Sequence, residues 1–456
     1  MSSDVKTIPQ KVQMREKVAF GLGDIGTNFY LQTIAVFLVF FYTDVLGISA
    51  ALAGIIALIC RLFDAFNDIY IGYKVDKTGN TKKWIIWGAA LSVITFFIMF
   101  LTPDFSEGGK FVYALITFAI FTITYTCYGI PINAMASTIT GDQKERMSVN
   151  AVRFPFIAIP ILIASAATVP LVSMIAPTAG KLAYPIVFGI YGLIGLVLAI
   201  VCVKVVKERN PIIKKTAGVE KLNFKDVVKS FVGNKPAIIA VLIFFLFFLQ
   251  YYINQASLMY YFAYVLNDVK NLTLFSLASL PFMVIGFMLS GKLCRSIGKK
   301  KLVFWIGIII LVTYAIRYLF VASLLVQIIF NVIFSIIAGL MCVICYNMVG
   351  DAVTYAHYKT GKQVIAVFYS TAIFSQKVGM ALSAFIVGGT LSAFGYVANA
   401  VQTPSAIFGI MSIYTIIPAI LAVVMGFVGL GWSIDNHECF KTAEEPVLTG
   451  GASAAL

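Results

Sequence analysis

AALAGIIALICRLFDAFNDIYIGY, residues 50–73, is an apolar run long enough to cross a bilayer, yet it holds Arg61, Asp64, Asn67 and Asp68. A crossing takes about 20 residues. At 3.6 residues per turn Asp64 and Asp68 stack on one helix face, with Asn67 beside them. A carboxylate in hydrocarbon is costly and marks a functional site. Two of them one turn apart repel each other until a cation or a proton is shared between them. This stretch predicts a membrane helix that carries a coupling-ion site. The rest of the chain should then read as a transporter.

Composition agrees. The 456 residues are 60% hydrophobic and 12% charged, with a mean hydropathy of +0.93. A soluble domain carries about a quarter charged residues. The fold class is an all-α polytopic membrane protein. Apolar segments recur at 17–43, 50–73, 84–103, 111–138, 150–176, 182–206, 237–266, 273–297, 302–321, 324–356, 364–390 and 405–432, which predicts twelve transmembrane helices. The longest polar connection divides them into a six-helix bundle over 1–206 and a second over 237–432. Residues 207–236 form the loop between them, and 433–456 form a tail rich in small and polar residues.

Charge placement sets the expected topology. Lys110, Lys181, Lys270 and Arg317 fall on one side, and Arg61 and Lys377 fall inside the membrane. Every other one of the 34 Lys and Arg lies in the N-terminal tail, in alternate loops or in the C-terminal tail. The positive-inside rule then places both termini in the cytoplasm of a multi-pass protein of the cell (inner) membrane. The same rule accounts for the net charge of +14 without a nucleic-acid partner. Trp84, Trp305 and Trp432 lie near helix ends, where an indole prefers the interface.

A weak repeat supports the division into halves. Gly72-x-x-x-Asp76-x-x-Gly79 followed by Lys82-Lys83 has the spacing of Gly291-x-x-x-Arg295-x-x-Gly298 followed by Lys299-Lys300-Lys301. Two six-helix halves with repeated loops are the pattern of the major facilitator architecture. Asp76 and Arg295 are thus gating or structural candidates.

Enzyme and redox motifs fail on context. Gly21-x-Gly23-x-x-Gly26 lacks the strand that a dinucleotide site needs, and reads instead as close helix packing. Gly286-x-x-x-x-Gly291-Lys292 lacks the hydroxyl of a P-loop, since Leu293 follows. Cys342-x-x-Cys345 has no second pair and falls in an apolar helix. The seven cysteines do not suggest a disulfide framework. With only His357 and His437 as histidines, and no nucleophile or metalloprotease pattern, the chain does not read as an enzyme.

The polar residues inside the membrane make a better constellation. Asp24 and Asn28 share a face of helix 1. Thr126 and Asn133 lie on helix 4, and Arg153 opens helix 5. Lys377 lies about 20 Å along helix 11 from its cytoplasmic end, at 1.5 Å per residue. That is near the midplane, where transporter sites sit. Each has a structural alternative. Arg61 pairs with Asp64 at i, i+3, and Lys377 is a counter-charge for the aspartates. Arg153 belongs to the basic belt, and Asp24 is a packing or gate residue.

Lys17-Val-Ala-Phe-Gly-Leu-Gly-Asp24-Ile-Gly-Thr-Asn28, Phe40-Phe41-Tyr42-Thr43-Asp44-Val45 and Arg61-Leu-Phe-Asp64-Ala-Phe-Asn67-Asp68 together resemble the glycoside–pentoside–hexuronide:cation symporters. The resemblance runs from helix 1 through Lys377. It implies cation ligation by Asp64, Asn67, Asp68 and Thr126, and sugar contact at Asn28. It implies that Arg153 and Lys377 link the two sites, and that Asp351 is an acid near the cytoplasmic end of helix 10. The family's melibiose carriers have aspartate at the positions of Asn28 and Gly129, and tryptophan at those of Asn133 and Cys342. A melibiose-like substrate is therefore not expected. Asn133 could replace the lost polar function, and Tyr128 or Tyr346 the aromatic face.

The expected function is symport of a sugar or glycoside, a hexuronide or pentoside included, with Na+ or H+. The carbonyl of Asn67 favours Na+. No cofactor beyond the coupling ion and no obligate protein partner is expected. A lysolipid symporter of the same fold is the alternative, and a membrane sensor a further one. In the empty state Asp64 and Asp68 are expected to face each other unneutralised.

Overall fold

The computed structural model describes residues 12–78, 80–140, 143–209, 234–360 and 365–435. Most of the expected central loop and C-terminal tail, with Gly79 and His437, lie outside these residues. In hydrocarbon each backbone N–H and C=O needs an internal partner, which a helix supplies by itself. The apolar segments accordingly form α1 (Met14–Phe40, prolonged by a wide turn over Phe41–Val45), α2 (Ala50–Thr78), α3 (Thr81–Met99), α4 (Glu107–Ile139), α5 (Gln143–Ala179) and α6 (Ala183–Val205). The second half is α7 (Lys235–Tyr260, prolonged over Tyr261–Val265), α8 (Asn271–Ile297), α9 (Lys299–Leu319), α10 (Leu324–Thr360), α11 (Ile365–Ala393) and α12 (Pro404–Leu430). Among the described residues eleven helical stretches are long and apolar enough to cross a membrane. One of them, the 51-residue run Pro155–Val205, contains two crossings joined by the tight turn Gly180–Leu182. The total is twelve, as expected.

Polar residues between the apolar runs start the helices. Asn80, Ser106, Asn234 and Thr403 each accept a hydrogen bond from the backbone N–H three residues on, and Pro404 takes a first-turn position where its missing N–H is not needed. The helix-pairing scheme of the first half recurs in the second: α1 packs on α5, α2 on α4 and α3 on α6, as α7 packs on α11, α8 on α10 and α9 on α12. Glycines permit the closest approaches. A Cβ on Gly26 would lie 2.8 Å from the Cα of Gly195 on α6. This is the packing use expected of the Gly21–Gly26 motif.

The halves meet along α1–α7, α2–α11 and α5–α8. The end of the bundle where α1 begins is the termini side, and the opposite end is the distal side. One expectation fails. Trp432 is fully buried, and its indole N–H donates to Asp435 Oδ1 at 2.8 Å instead of lying at an interface. Arg317, in the last turn of α9 on the distal side, is fully buried inside the second half. Its Nε donates to Gln327 Oε1 at 3.1 Å, and its guanidinium lies 4.4 Å from the Tyr414 ring centre. Position near a helix end does not reveal which face of the helix a residue occupies.

Candidate functional site

The helix period brings Asp64, Asn67 and Asp68 of α2 to one place, facing α4. There Thr126 Oγ1 lies 3.2 Å from Asp64 Oδ1 and 3.2 Å from Asp68 Oδ1. A hydroxyl has one proton, so it donates to one carboxylate at a time and keeps lone pairs for a third partner. Asn67 is buried, and its Nδ2 makes no hydrogen bond to a described residue. Two carboxylates, a hydroxyl and an amide thus converge from two helices of one half, a donor set suited to a hard cation or a proton.

The other half supplies the charge that balances them. Lys377 of α11 donates to Asp68 Oδ2 and sits 2.9 Å from Asp64 Oδ2, the latter an ion pair without hydrogen-bond geometry. Arg61 Nη1 is 3.9 Å from the same Asp64 oxygen, with its guanidinium 5.6 Å from the Phe118 ring centre. Asp64 is 1% exposed. The expectation of an unneutralised pair is corrected: the repulsion is relieved by two cationic side chains, one from across the interface. An uncompensated buried charge would be strongly destabilising, so breaking this pairing between α2 and α11 by removing one partner is costly.

A second group lies on α1, α4 and α5. Asp24, 2% exposed, receives a bidentate guanidinium: Arg153 Nε to Oδ2 and Nη2 to Oδ1, both at 2.8 Å. Arg153 also donates to Asn133 Oδ1, while Asn133 Nδ2 donates to the Gly129 carbonyl at 2.9 Å. Asn28 is half-buried and donates through Nδ2 to the Asp24 carbonyl at 2.8 Å. The fork geometry of arginine fixes both carboxylate oxygens of Asp24. Asp24 therefore orients Arg153, and the groups left to meet a solute are Asn28, Asn133 and the remaining N–H bonds of Arg153. Tyr125, which the sequence did not single out, lies close enough to Asp24, Asp64 and Asp68 for the charge of each to act on it.

The other candidates are placed elsewhere. Tyr128 is fully buried and donates to the Gly23 carbonyl at 2.6 Å, so it locks α4 to α1 and is not brought to the site. Tyr346 is half-buried and packs edge-on at 5.1 Å against Phe244. Asp351 pairs with Lys299 at the start of α9, within one half, and Arg295 turns back to the Gly291 carbonyl at 3.1 Å. The side chains of Asp76 and His357 lie outside the described residues.

Asp44 is a residue the sequence reading quoted without a role. On the distal side its carboxylate accepts from Tyr264 Oη and, at 2.7 Å to both oxygens, from Tyr396 Oη. Its carbonyl accepts from Asn399 Nδ2 at 2.7 Å, and Thr43 and Tyr260 share a hydrogen bond at 2.8 Å beside it. Thr43 Oγ1 also donates to the carboxylate, and the other three partners of Asp44, Tyr264, Tyr396 and Asn399, come from the second half. Burial and the neighbouring acid push the Tyr396 hydroxyl well above the usual phenol range, which keeps it a donor. This is a seal between the halves. A lone Asp at a helix end gives no sign in sequence of partners more than two hundred residues away.

Residues 19–436 match the family model described as MFS/sugar transport protein. The chain is 34% identical over 433 residues to the uncharacterized symporter YnaJ of Bacillus subtilis (strain 168), covering 93% of this chain and 92% of that protein. It is 28% identical over 425 residues to the glucuronide carrier protein homolog of Escherichia coli (strain K12), covering 90% of each. The crystal structure of nucleoside transporter NupG superposes with a TM-score of 0.64 at 12% identity, covering 92% of this chain and 99% of that one, a likeness of fold alone. The chain belongs to the MFS/sugar transport protein family, and within it to the glycoside–pentoside–hexuronide symporters that the helix 1 and 2 motifs resemble. It is a multi-pass membrane transporter and not an enzyme.

Proposed function

We propose that this transporter couples uptake of a sugar or glycoside to Na+ or H+ by alternating access, with the termini side facing the cytoplasm. The observation that carries the reading is the Lys377 ammonium seated between Asp64 and Asp68. It occupies the place of the passenger ion. An incoming Na+ or proton exchanges with it at the carboxylates, while Thr126 and Asn67 offer further oxygens to Na+. The displaced ammonium is then free to donate to the cargo alongside Asn28, Asn133 and Arg153. Ion and cargo thereby favour each other's binding, by a coupling of about 1–3 kcal/mol if it resembles other linked sites. Each positive charge carried inward gains about 2.3 kcal/mol per 100 mV of membrane potential.

Cargo class follows from the same charges. Asp24 neutralises Arg153, so the second group presents amides and hydrogen-bond donors without free charge. This suits the hydroxyls of a neutral sugar. The ammonium released by the ion adds a partner for a carboxylate, which suits the uronide named in the relative's description. The test is uptake by proteoliposomes of labelled methyl β-D-xyloside and methyl β-D-glucuronide, with Na+ and proton gradients imposed in turn. Gradient-driven accumulation of either, lost in Asp64→Cys and Asp68→Cys, is the expected result. Unchanged coupled transport in those variants would refute the site.

A further inference from the structure

Distal to the ion site, α5 of the first half meets α7, α8 and α10 of the second around a cavity of about 50 Å3. Its polar wall is Ser165, Gln255, Ser276, Ser279, Asn331 and Ser335, and no charged side chain lines it. Serines in membrane helices commonly bond back to a carbonyl one turn earlier, as Ser279, Ser290 and Ser375 do here. The side chains of Gln255, Ser276, Asn331 and Ser335 make no hydrogen bond to any described residue. Ser276 and Asn331 are nonetheless only 5% and 6% exposed. Buried polar groups require partners, so these are reserved for water or a solute.

The cavity's place in the path is defined on two sides. Thr273 Oγ1 donates to the Ala166 carbonyl at 2.7 Å, bridging α8 and α5 one turn beyond Ser276 and beside Ser165. This bond roofs the cavity on the distal side. Gln32 of α1, one turn beyond Asn28, donates to Ser165 Oγ at 3.3 Å and joins the cavity to the face that carries the central group. Ser165 follows Arg153 on α5 by about 18 Å at 1.5 Å per residue. One sugar ring cannot touch both.

We propose that this cavity is a separate outer subsite, which takes the hydroxyls of a neutral sugar ring when the distal seal opens and before the cargo reaches Asn28, Asn133 and Arg153. Hydroxyl and amide groups both donate and accept, as sugar hydroxyls do, and the absence of charge gives an ion no reason to stop there. Tyr251 and Phe275 line the same wall and give it an apolar part against which the C–H groups of a ring can pack. The inference rests on the reading that the cargo is a sugar.

The test uses right-side-out membrane vesicles carrying the full chain and labelled methyl β-D-xyloside, with uptake compared to efflux from preloaded vesicles. In Ser276→Ala/Asn331→Ala the half-saturation concentration for uptake is expected to rise about tenfold, as for two lost hydrogen bonds, while that for efflux stays within about twofold. Ser276→Ala alone removes a single oxygen and should give about threefold on uptake. It carries the test if the double variant does not elute as a folded monodisperse protein. Transport by the wild type with no rise in uptake half-saturation, or an equal rise in both directions, overturns the subsite alone. Failure of the wild type to move methyl β-D-xyloside under any ion gradient overturns the subsite and the neutral-sugar reading together.

Discussion

Asp24 and Arg153 show why a single residue here has to be read with its partner. Asp24 is buried and Arg153 half-buried, and each is neutralised by the other through two 2.8 Å hydrogen bonds. Removing one partner leaves an uncompensated charge, at a cost of about 3–5 kcal/mol, whereas removing both does not. We therefore expect Asp24→Asn and Arg153→Gln each to lower the melting temperature of the detergent-purified protein more than the double variant does; additive losses would contradict the pairing. At the ion site, Asp68→Asn removes the carboxylate to which Lys377 donates and leaves Asp64 with two cations. Whichever cation, Na+ or the proton, protects the wild type against thermal unfolding should then no longer do so, as melting series in NaCl against choline chloride and across pH would show. Much of this level was legible in sequence. The spacing of Asp64, Asn67 and Asp68 on one helix is periodicity, and their cost in lipid marks them. Arg61 and Lys377 were offered as mates of the aspartates, but the mate of Arg153 was not legible. Arg153 read equally well as a belt residue, and Tyr128 read as an aromatic face for the sugar, because one-dimensional position does not say which way a helix face points.

Helices were the most legible level, because hydrocarbon leaves the backbone few alternatives. The runs at 84–103 and 111–138 became α3 and α4 with ends shifted by a few residues. What sequence did not supply was the contact between them. Gly88 of α3 presses on the α4 backbone so closely that a Cβ would lie 2.5 Å from the carbonyl carbon of Cys127. The next residue, Tyr128, locks α4 to α1, and the residue before Cys127 is Thr126. A larger residue at position 88 must push α4 off α3 and displace the Thr126 hydroxyl from the two carboxylates. Overpacking of this kind costs about 1–3 kcal/mol. Gly88→Val is expected to weaken ion dependence as well as stability, measured as a raised Na+ or proton requirement for uptake in proteoliposomes. A variant that loses stability while keeping its ion requirement would place the lesion in packing alone.

For the whole molecule, charged or strongly hydrogen-bonded contacts join the two halves at mid-depth, where Lys377 meets the α2 aspartates, and toward the distal side, where Asp44 is sealed by Tyr264, Tyr396 and Asn399 and Thr273 donates to the Ala166 carbonyl. Alternating access requires both to break. Asp44→Ala removes the acceptor of the seal, so we expect the distal side to open more often. Spin labels at the exposed positions Ser49→Cys and Val397→Cys should report a longer and broader distance distribution than in the protein with Asp44 intact, and an unchanged distribution would exclude the seal. The mid-depth joint was one of the alternatives the sequence offered, with Lys377 as counter-charge for the aspartates; the distal joint was not legible, since it pairs residues from opposite ends of the chain. The mid-depth joint carries the mechanism, because the lysine that holds it must yield to the ion. Calorimetric titration of purified Lys377→Met with Na+, Li+ and protons tests this most directly. With the tethered ammonium gone, at least one of the three should bind about tenfold tighter or better than to the wild type, and sugar should no longer alter that affinity. Cation binding equal to or weaker than wild type for all three would contradict the exchange.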